Sequence, residues 1–270
     1  MAKEIKPEDR ILNVVPSRNP ENDWTFQTAV QADILAAPAE IPDSVDLREP
    51  WWKIEDPTAY GDCGGFTAAG AILRWHFVQK GMLPQNEHLS VRSIGVICMA
   101  AKQMSATMPA PSLEESATLR AAMDIARIYG CVLDSTPPFD PEKMCHEQVQ
   151  AFFARASKYK IANYFSLRPP GASWDVTKNN WRMWLATKGP ILTRLDVDAT
   201  WDQASSTKGN LDVYKPDTVR GGHAVALVGY TPDRFICRNS WGVQWGDRGF
   251  GYASEAYAKA TFTEAYGIIV

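Results

Sequence analysis

Apolar residues fall at helical spacing in the first half of the chain and at alternating spacing in the second. Within FTAAGAILRWHFVQKG (66–81), Phe66, Ala69, Leu73 and Phe77 share one helical face, and Gly81 stands where a helix stop belongs. The turn-like approach PTAYGDC places Cys63 at or near the first turn of that helix. Further helices are expected over about 89–104 and over 112–130, the latter opened by a Ser112/Glu115 capping box and closed by Gly130. Another follows as PEKMCHEQVQAFFARAS. Beyond it the pattern changes. KIANYFSLRP reads as a strand, WRMWLATKG (181–189) as a short helix closed by Gly189, and PILTRLDV as a strand. GGHAVALVGY (221–230) alternates and is rich in small and β-branched residues, and RFICRNS and GFGYAS add further strands. Helices first and strands later predict an α+β chain in two lobes, helical over about 42–155 and β-rich over about 156–270, not alternating βαβ units. Residues 1–41 stand apart. They carry Pro7, Pro16, Pro20 and Pro38 and one short helix, about Trp24 to Ala36, and read as an arm laid on the surface.

Composition narrows the function classes. The chain has 270 residues, 45% hydrophobic and 22% charged, enough for a real core, which excludes a disordered or disulfide-stapled chain. Lys and Arg number 28 against 31 Asp and Glu, a net charge of −3 with no like-charged block. Neither a nucleic-acid nor an anionic-membrane binder is expected on that balance. No apolar run reaches the roughly 18 residues of a membrane span, and MAKEIKPEDRILNVV has no signal-peptide core. Cytoplasmic residence is the expectation, and leaderless export as an effector is compatible with it. The five cysteines, at 63, 98, 131, 145 and 237, are odd in number and widely spaced, without a CxxC pair. That argues against a structural metal site or a disulfide framework and directs attention to a reactive thiol.

Three segments stand out together: Gly61-Asp62-Cys63-Gly64-Gly65-Phe66, Gly222-His223-Ala224-Val225, and Asn239-Ser240-Trp241-Gly242 running on to Trp245-Gly246 and Gly249-Phe250-Gly251. A thiol at a helix N-terminus is stabilised as thiolate by the helix dipole, and an imidazolium beside it lowers its pKa further. An asparagine accepting the imidazole N–H fixes the ring, and an indole over that bond excludes water. Taken singly, each piece has a commoner explanation. A lone cysteine is usually a small core residue, a histidine in an alternating strand a satisfied core histidine, and Asn-Ser a turn. Their order and flanks reverse that weighting. His76, His88 and His146, and Cys98, Cys131, Cys145 and Cys237, keep the structural explanation, as do most of the tryptophans.

The order Cys, His, Asn with these flanks resembles the papain-like cysteine peptidases, and the resemblance covers roughly residues 41–270. Ser44-Val45-Asp46-Leu47-Arg48 is similar to the opening of the mature enzymes, and Lys188-Gly189-Pro190-Ile191 to the Gly-Pro-Val step before a right-lobe strand. The resemblance implies a helical left lobe, an antiparallel, barrel-like right lobe and a cleft between them. It implies Cys63, His223 and Asn239 as the catalytic set, Trp241 (more weakly Trp245) as support, and Gly64, Gly65 and Gly222 as substrate-side positions. It implies no metal and no organic cofactor.

The chain departs from the family at several points. The family's oxyanion glutamine, six residues before the nucleophile, falls on Pro57, which offers neither a side-chain donor nor a backbone N–H. Losing such a donor costs on the order of 10²–10³ in rate. Thr58 and Tyr60 are the nearby hydroxyls that could substitute. Gly64 and Gly65 replace the usual bulky residue and open space beside the sulfur. Tyr60 stands where secreted relatives carry a disulfide cysteine, and MPAPSLEE replaces the glycine pair of the groove wall. The Cys63–His223 spacing of 160 residues exceeds the usual range of roughly 130–150. The 41-residue arm is too short for the usual inhibitory pro-domain yet could lie in the groove. Arg194, Asp196 and Asp198 are candidate wall residues, with solvated charge the commoner explanation.

Three functions follow. The leading one is a thiol-dependent peptidase acting on a peptide or protein through an acyl-enzyme. The second is an acyltransferase passing the same thioester to an amine or hydroxyl. The third is a catalytically weak papain-like binding protein, supported by Pro57 and opposed by the intact Cys63, His223 and Asn239. Substrate identity and oligomeric state are not written in the sequence.

Overall fold

A computed structural model describes residues 5–36, 40–56, 63–93, 118–137 and 145–270, and at Cys63, Phe66 and His146 the backbone alone. The expected helix at Cys63 is present. Helix α2 starts as Cys63–Gly65, is wound as a π-helix over Phe66–Leu73 and ends as Arg74–Gln79. Helix α3 spans Leu119–Ile128, and its start corrects the sequence reading. The Thr118 hydroxyl accepts the Ala121 N–H, so the helix is capped there and not at Ser112, which lies outside the described residues together with Glu115. Gly130 closes it at φ +91, where a Cβ would fall 2.0 Å from the Ala156 carbonyl oxygen. Helix α4 is His146–Ala156. The expected helix after Leu89 falls mostly outside the described residues.

The β-rich half forms one sheet. Strands β1 (Val45–Asp46), β2 (Asn163–Ser166), β3 (Ile191–Val197), β4 (Asn210–Leu211), β5 (Gly221–Tyr230), β6 (Arg234–Arg238), β7 (Phe250–Ser254) and β8 (Phe262–Ile269) run in the order β2-β8-β3-β5-β6-β7-β4, with β1 added on β5. Pairing is antiparallel except between β4 and β7, and the sheet is open, ending at β2 and β4. Alternation along β5 supplies two cores. Ala224, Ala226 and Val228 pack with α2 and α3, while Val225 and Leu227 face a second cluster with Trp181, Trp184 and Trp201. Those tryptophans come from helix α5 (Trp174–Thr187) and the short turn α6 (Ala199–Asp202). Helix α5 begins earlier than its apolar spacing suggests because the Ser173 hydroxyl caps it by accepting the Val176 N–H. Helix α7 (Glu255–Thr261) and strand β8 complete the second core. The α+β architecture, with helices beside an antiparallel-rich sheet, is as expected.

The arm differs from expectation. Its helix, α1, is confined to Phe26–Gln31, and Val14, Ser17, Phe26, Ala29 and Leu35 are buried. These residues are built into the molecule, not laid over it. Pro20 opens a one-turn 3-10 helix, Pro20–Asn22, and the stretch before it turns backbone groups of Val14 and Ser17 to neighbouring strands for partners.

Candidate active site

His223 stands third in β5 and is fully buried. Its Nε2 lies 2.8 Å from Asn239 Oδ1, and that oxygen also accepts the Ser240 N–H at 2.8 Å. An atom that accepts from an amide is the carboxamide oxygen, so the imidazole donates through Nε2–H. The neutral ring then carries its lone pair on Nδ1. That nitrogen is buried and has no hydrogen-bond partner among the described residues. Trp241 covers one face of the ring at 4.9 Å between centroids, tilted 37°, and Trp201 meets it at 6.1 Å and 71°. Trp245 packs on Trp201 at 4.5 Å and donates its indole N–H to the Trp201 carbonyl. Burial in this aromatic wall pushes the imidazole down to about 4. The Asn239 bond opposes that shift, and the cations of Arg10 and Arg220 add to it.

Helix α2 is tied to the same strand. The Thr67 hydroxyl donates to the carbonyl of Ala224, next to His223, at 2.9 Å. Thr67 is one helical turn beyond Cys63, so the N-terminal end of α2 is held against the part of β5 that carries the histidine. Gly64 faces open space, since a Cβ there would meet nothing within 4 Å, and Gly65 follows it in the helix. Pro57, Thr58 and Tyr60 lie outside the described residues.

The arm runs past the histidine. The Arg10 guanidinium meets the Asp56 carboxylate at 2.6 Å, donates to the Trp241 carbonyl at 3.4 Å and lies 5.9 Å from the Trp241 ring centre. The Val14 N–H donates to the Gly222 carbonyl at 3.2 Å, and the Val14 carbonyl accepts from Arg194 Nε at 3.0 Å. A Cβ at position 222 would fall 2.0 Å from the Val14 oxygen, so glycine is what lets the arm approach. Ser17 gives both its N–H (2.8 Å) and its hydroxyl (2.6 Å) to the Glu264 carboxylate on β8. Arg120 on α3 holds the Asn19 carbonyl and Asp23. The arm therefore bridges the helical half and the sheet alongside His223.

Two charged residues correct the sequence reading. Arg194 is buried against the arm and pairs with Asp196 at 2.9 Å. Asp198 is fully buried and is no solvated wall charge. Its carboxylate accepts the Trp201 N–H, the Lys215 N–H and the Tyr257 hydroxyl, at 3.2, 2.7 and 2.6 Å. Sequence reasoning passed over Arg10, Asp56, Trp201 and Glu264. Nothing local marks them, because each gains its place through contacts made far along the chain. The remaining cysteines behave as expected where described. Cys131 and Cys237 are buried and pushed up to about 12, and Cys145 is exposed on the approach to α4. His76 is buried, and His88 faces Glu55 at 3.4 Å.

The sequence profile of the papain family cysteine proteases matches residues 41–266. Curated relatives include Peptidase 1 of Psoroptes ovis, 24% identical over 251 residues, covering 86% of this chain and 66% of the relative. A cathepsin L-like proteinase of Fasciola hepatica is 23% identical, covering 78% of this chain and 59% of the relative. Cathepsin S of Bos taurus is 24% identical, covering 90% and 68%. The chain thus spans about three fifths to two thirds of the length of these relatives. Among solved structures, xylellain, a cysteine protease from Xylella fastidiosa, superposes with a TM-score of 0.71 at 19% identity over 100% of this chain and 99% of that one. Digestive procathepsin L 3 of Tenebrio molitor gives 0.59 at 16% identity, over 96% and 76%. At such identities the structural likeness speaks for the fold alone. With the family profile running from the step before β1 into β8, the chain belongs to the papain family of cysteine proteases.

Proposed function

We propose that the protein is a thiol-dependent peptidase that cleaves peptide bonds through an acyl-enzyme on Cys63. The observation that carries this reading is the His223–Asn239 pair, bonded at 2.8 Å, with the opposite imidazole nitrogen without a partner among the described residues. In the proposed cycle His223 Nδ1 takes the Cys63 proton, the sulfur adds to the substrate carbonyl, and the imidazolium returns the proton to the departing amine. The carbonyl is left as a thioester on the sulfur, and water, deprotonated by the same nitrogen, releases the acid. Asn239 keeps the ring oriented with Nε2 engaged, and Trp241 and Trp201 keep water from that bond. The Cys63 N–H at the helix start donates to the oxyanion, Thr58, next to Pro57 in sequence, is the candidate to supply the donor that Pro57 lacks, and Gly64, Gly65 and Gly222 border the substrate. We assign residues 1–41 as an arm, 42–155 as the helical lobe and 156–270 as the β-rich lobe. The substrate is a peptide or protein segment lying where the arm now passes.

The test is hydrolysis of a mixture of denatured-protein peptides by the wild-type chain and by Cys63→Ala, read by mass spectrometry with and without an added primary amine. New peptide termini made only by the wild type support the reading. Products carrying the amine would indicate acyl transfer, and equal turnover by both proteins, or none by either, would overturn it.

A further inference from the structure

The segment that enters Pro57 is bound through its backbone to the residues around Asn239. The Lys53 carbonyl accepts from Arg238 Nη2 at 2.6 Å, and the Glu55 carbonyl accepts the Gly242 N–H at 3.1 Å. Arg238 precedes Asn239 and Gly242 follows Trp241, so these bonds flank the residues that hold and cover His223. The Glu55 side chain reaches helix α2. Its Oε2 is buried, and a Cβ at position 70 would fall 2.5 Å from it, so the carboxylate fills the space that Gly70 leaves on the helix. Two guanidiniums share this region. Arg74, one turn beyond Gly70, is 1% exposed and Arg238 is 2% exposed. Burial pushes both down, Arg238 to about 10, and in each the Glu55 charge opposes the shift. Both are fixed from other sides. Arg74 donates to the Gln85 and Glu87 carbonyls and lies 5.3 Å from the Trp51 ring centre, and Arg238 lies 4.8 Å from that of Trp52. Glu55 Oε2, Arg74 Nη1 and Arg238 Nε have no hydrogen-bond partner among the described residues, so charge and shape hold the carboxylate there. His88 Nδ1 stands 3.4 Å from its other oxygen.

We propose that Glu55 is a positioning residue for the reaction at Cys63. Its side chain sets helix α2, which begins at Cys63, at a fixed separation from the segment entering Pro57. Through the Lys53 and Glu55 carbonyls it sets the same helix against the residues that orient His223. A carboxylate suits this place because it stands in the field of two buried cations. Without it, two like charges face each other in a region from which water is excluded, and the elements that carry them, α2 and the end of β6, are driven apart. Such a displacement matters at this site, since misplacing a reacting group by about 1 Å costs on the order of a hundredfold in rate. The proposal rests on the peptidase reading for what is positioned. The contact between Glu55 and Gly70 does not depend on it.

Two measurements on the full-length chain test it, and neither needs turnover. The first is thermal melting of Gly70→Ala in the wild-type and Glu55→Ala backgrounds. Alanine ordinarily steadies a helix that holds glycine. Here the new methyl group displaces the carboxylate, so Gly70→Ala should melt about 2 °C or more below the wild type. In the Glu55→Ala background the same change should leave the melting temperature level or raise it. The Val91 side chain, 3.3 Å from the same Cβ position, is common to both backgrounds and cancels. An equal shift in both would overturn the proposal. The second is the rate at which iodoacetamide labels Cys63, followed on the Cys63 peptide by mass spectrometry. The rate constant should fall roughly tenfold in Glu55→Ala, and likewise in Gly70→Ala, which moves the carboxylate without removing it. A smaller labelled fraction at an unchanged rate constant would confine Glu55 to holding the fold and overturn its positioning role. Peptide turnover should fall by a similar factor with KM within about twofold, and an equal rise in KM would place Glu55 in substrate binding instead. Slowed labelling with no cleavage even by the wild type would count against the peptidase reading and uphold the placement of the thiol by Glu55.

Discussion

Arg10 and Asp56 meet at 2.6 Å beside Trp241, joining the arm to the residue that precedes Pro57. The guanidinium is nearly buried while the carboxylate is about a third exposed, so the pair is worth about 1 kcal/mol. Removing it should shift the arm from bound to free by roughly fivefold. Arg10→Ala is expected to raise peptidase activity by about that factor and to make residues before Phe26 more sensitive to limited proteolysis. Raising ionic strength should do the same to the wild type and little to the variant. Unchanged proteolysis in Arg10→Ala would show that Val14, Ser17 and Asp23 hold the arm without it.

Burial sets the acid limit of the fold. His223 is pushed down to about 4 and His76 to about 3, both chiefly by desolvation. An unfolded histidine takes its proton near 6.5. Between those values the unfolded chain binds more protons than the folded one, so stability rises with pH through this window. It is complete above about 6.5, falls as pH drops below that value, and the loss levels off below about 4 for His223 and about 3 for His76. The melting temperature should therefore decline steadily from pH 7 to pH 4. His76→Gln should roughly halve the slope of that decline and leave the part due to the histidine beside Asn239. A flat melting profile over this range would mean that both rings are hydrated.

Much of the site was legible along the chain. Ten alternating residues, GGHAVALVGY, gave strand β5 with its correct ends, and the order Cys63, His223, Asn239 gave the pair that the fold brings together. Periodicity found α2 because its apolar face is long and Gly81 ends it. Burial of charge was not legible. Asp198 looks like a surface residue in LDVDATWD until Tyr257, 59 positions later, turns its hydroxyl to it. Arg194 looks solvated until β8 and the arm close over it. The arm's path was equally hidden. Val14 and Gly222 pair across more than two hundred residues, and no local pattern specifies that contact.

In the proposed cycle Asn239 acts on the reaction through the ring it holds. Asn239→Ala would leave Nε2–H buried without an acceptor, at a cost of about 1–3 kcal/mol. It would also free the ring to turn from the orientation that the proposed cycle needs. Turnover is expected to fall roughly 10–100-fold, with KM nearly unchanged because no substrate contact is removed. Asn239→Gln should recover little, since a longer amide cannot meet both Nε2 and the Ser240 N–H in the same space. An equal rise in KM would place Asn239 in substrate binding instead.

Asp198 carries the aromatic wall at one remove. Its carboxylate fastens the first turn of α6, so Trp201 is held edge-on to His223 while Trp245 braces it from behind. Asp198→Asn keeps an oxygen for the Trp201 N–H and the Tyr257 hydroxyl but turns an amide toward the Lys215 N–H. Two donors then face each other where a charged acceptor stood. The loss should be about 1–3 kcal/mol of stability. A merely structural role would stop there. If Trp201 keeps water from the His223–Asn239 bond, the loosened variant should also admit solvent to the ring and raise the histidine's proton affinity. The acid limb of the kcat/KM profile should then move upward by a measurable fraction of a pH unit, with tryptophan fluorescence shifting to the red. Trp201→Phe, which keeps the packing and the α6 backbone, should leave that limb closer to the wild-type position than Asp198→Asn does. A stability loss with an unmoved pH profile would confine Asp198 to holding the fold.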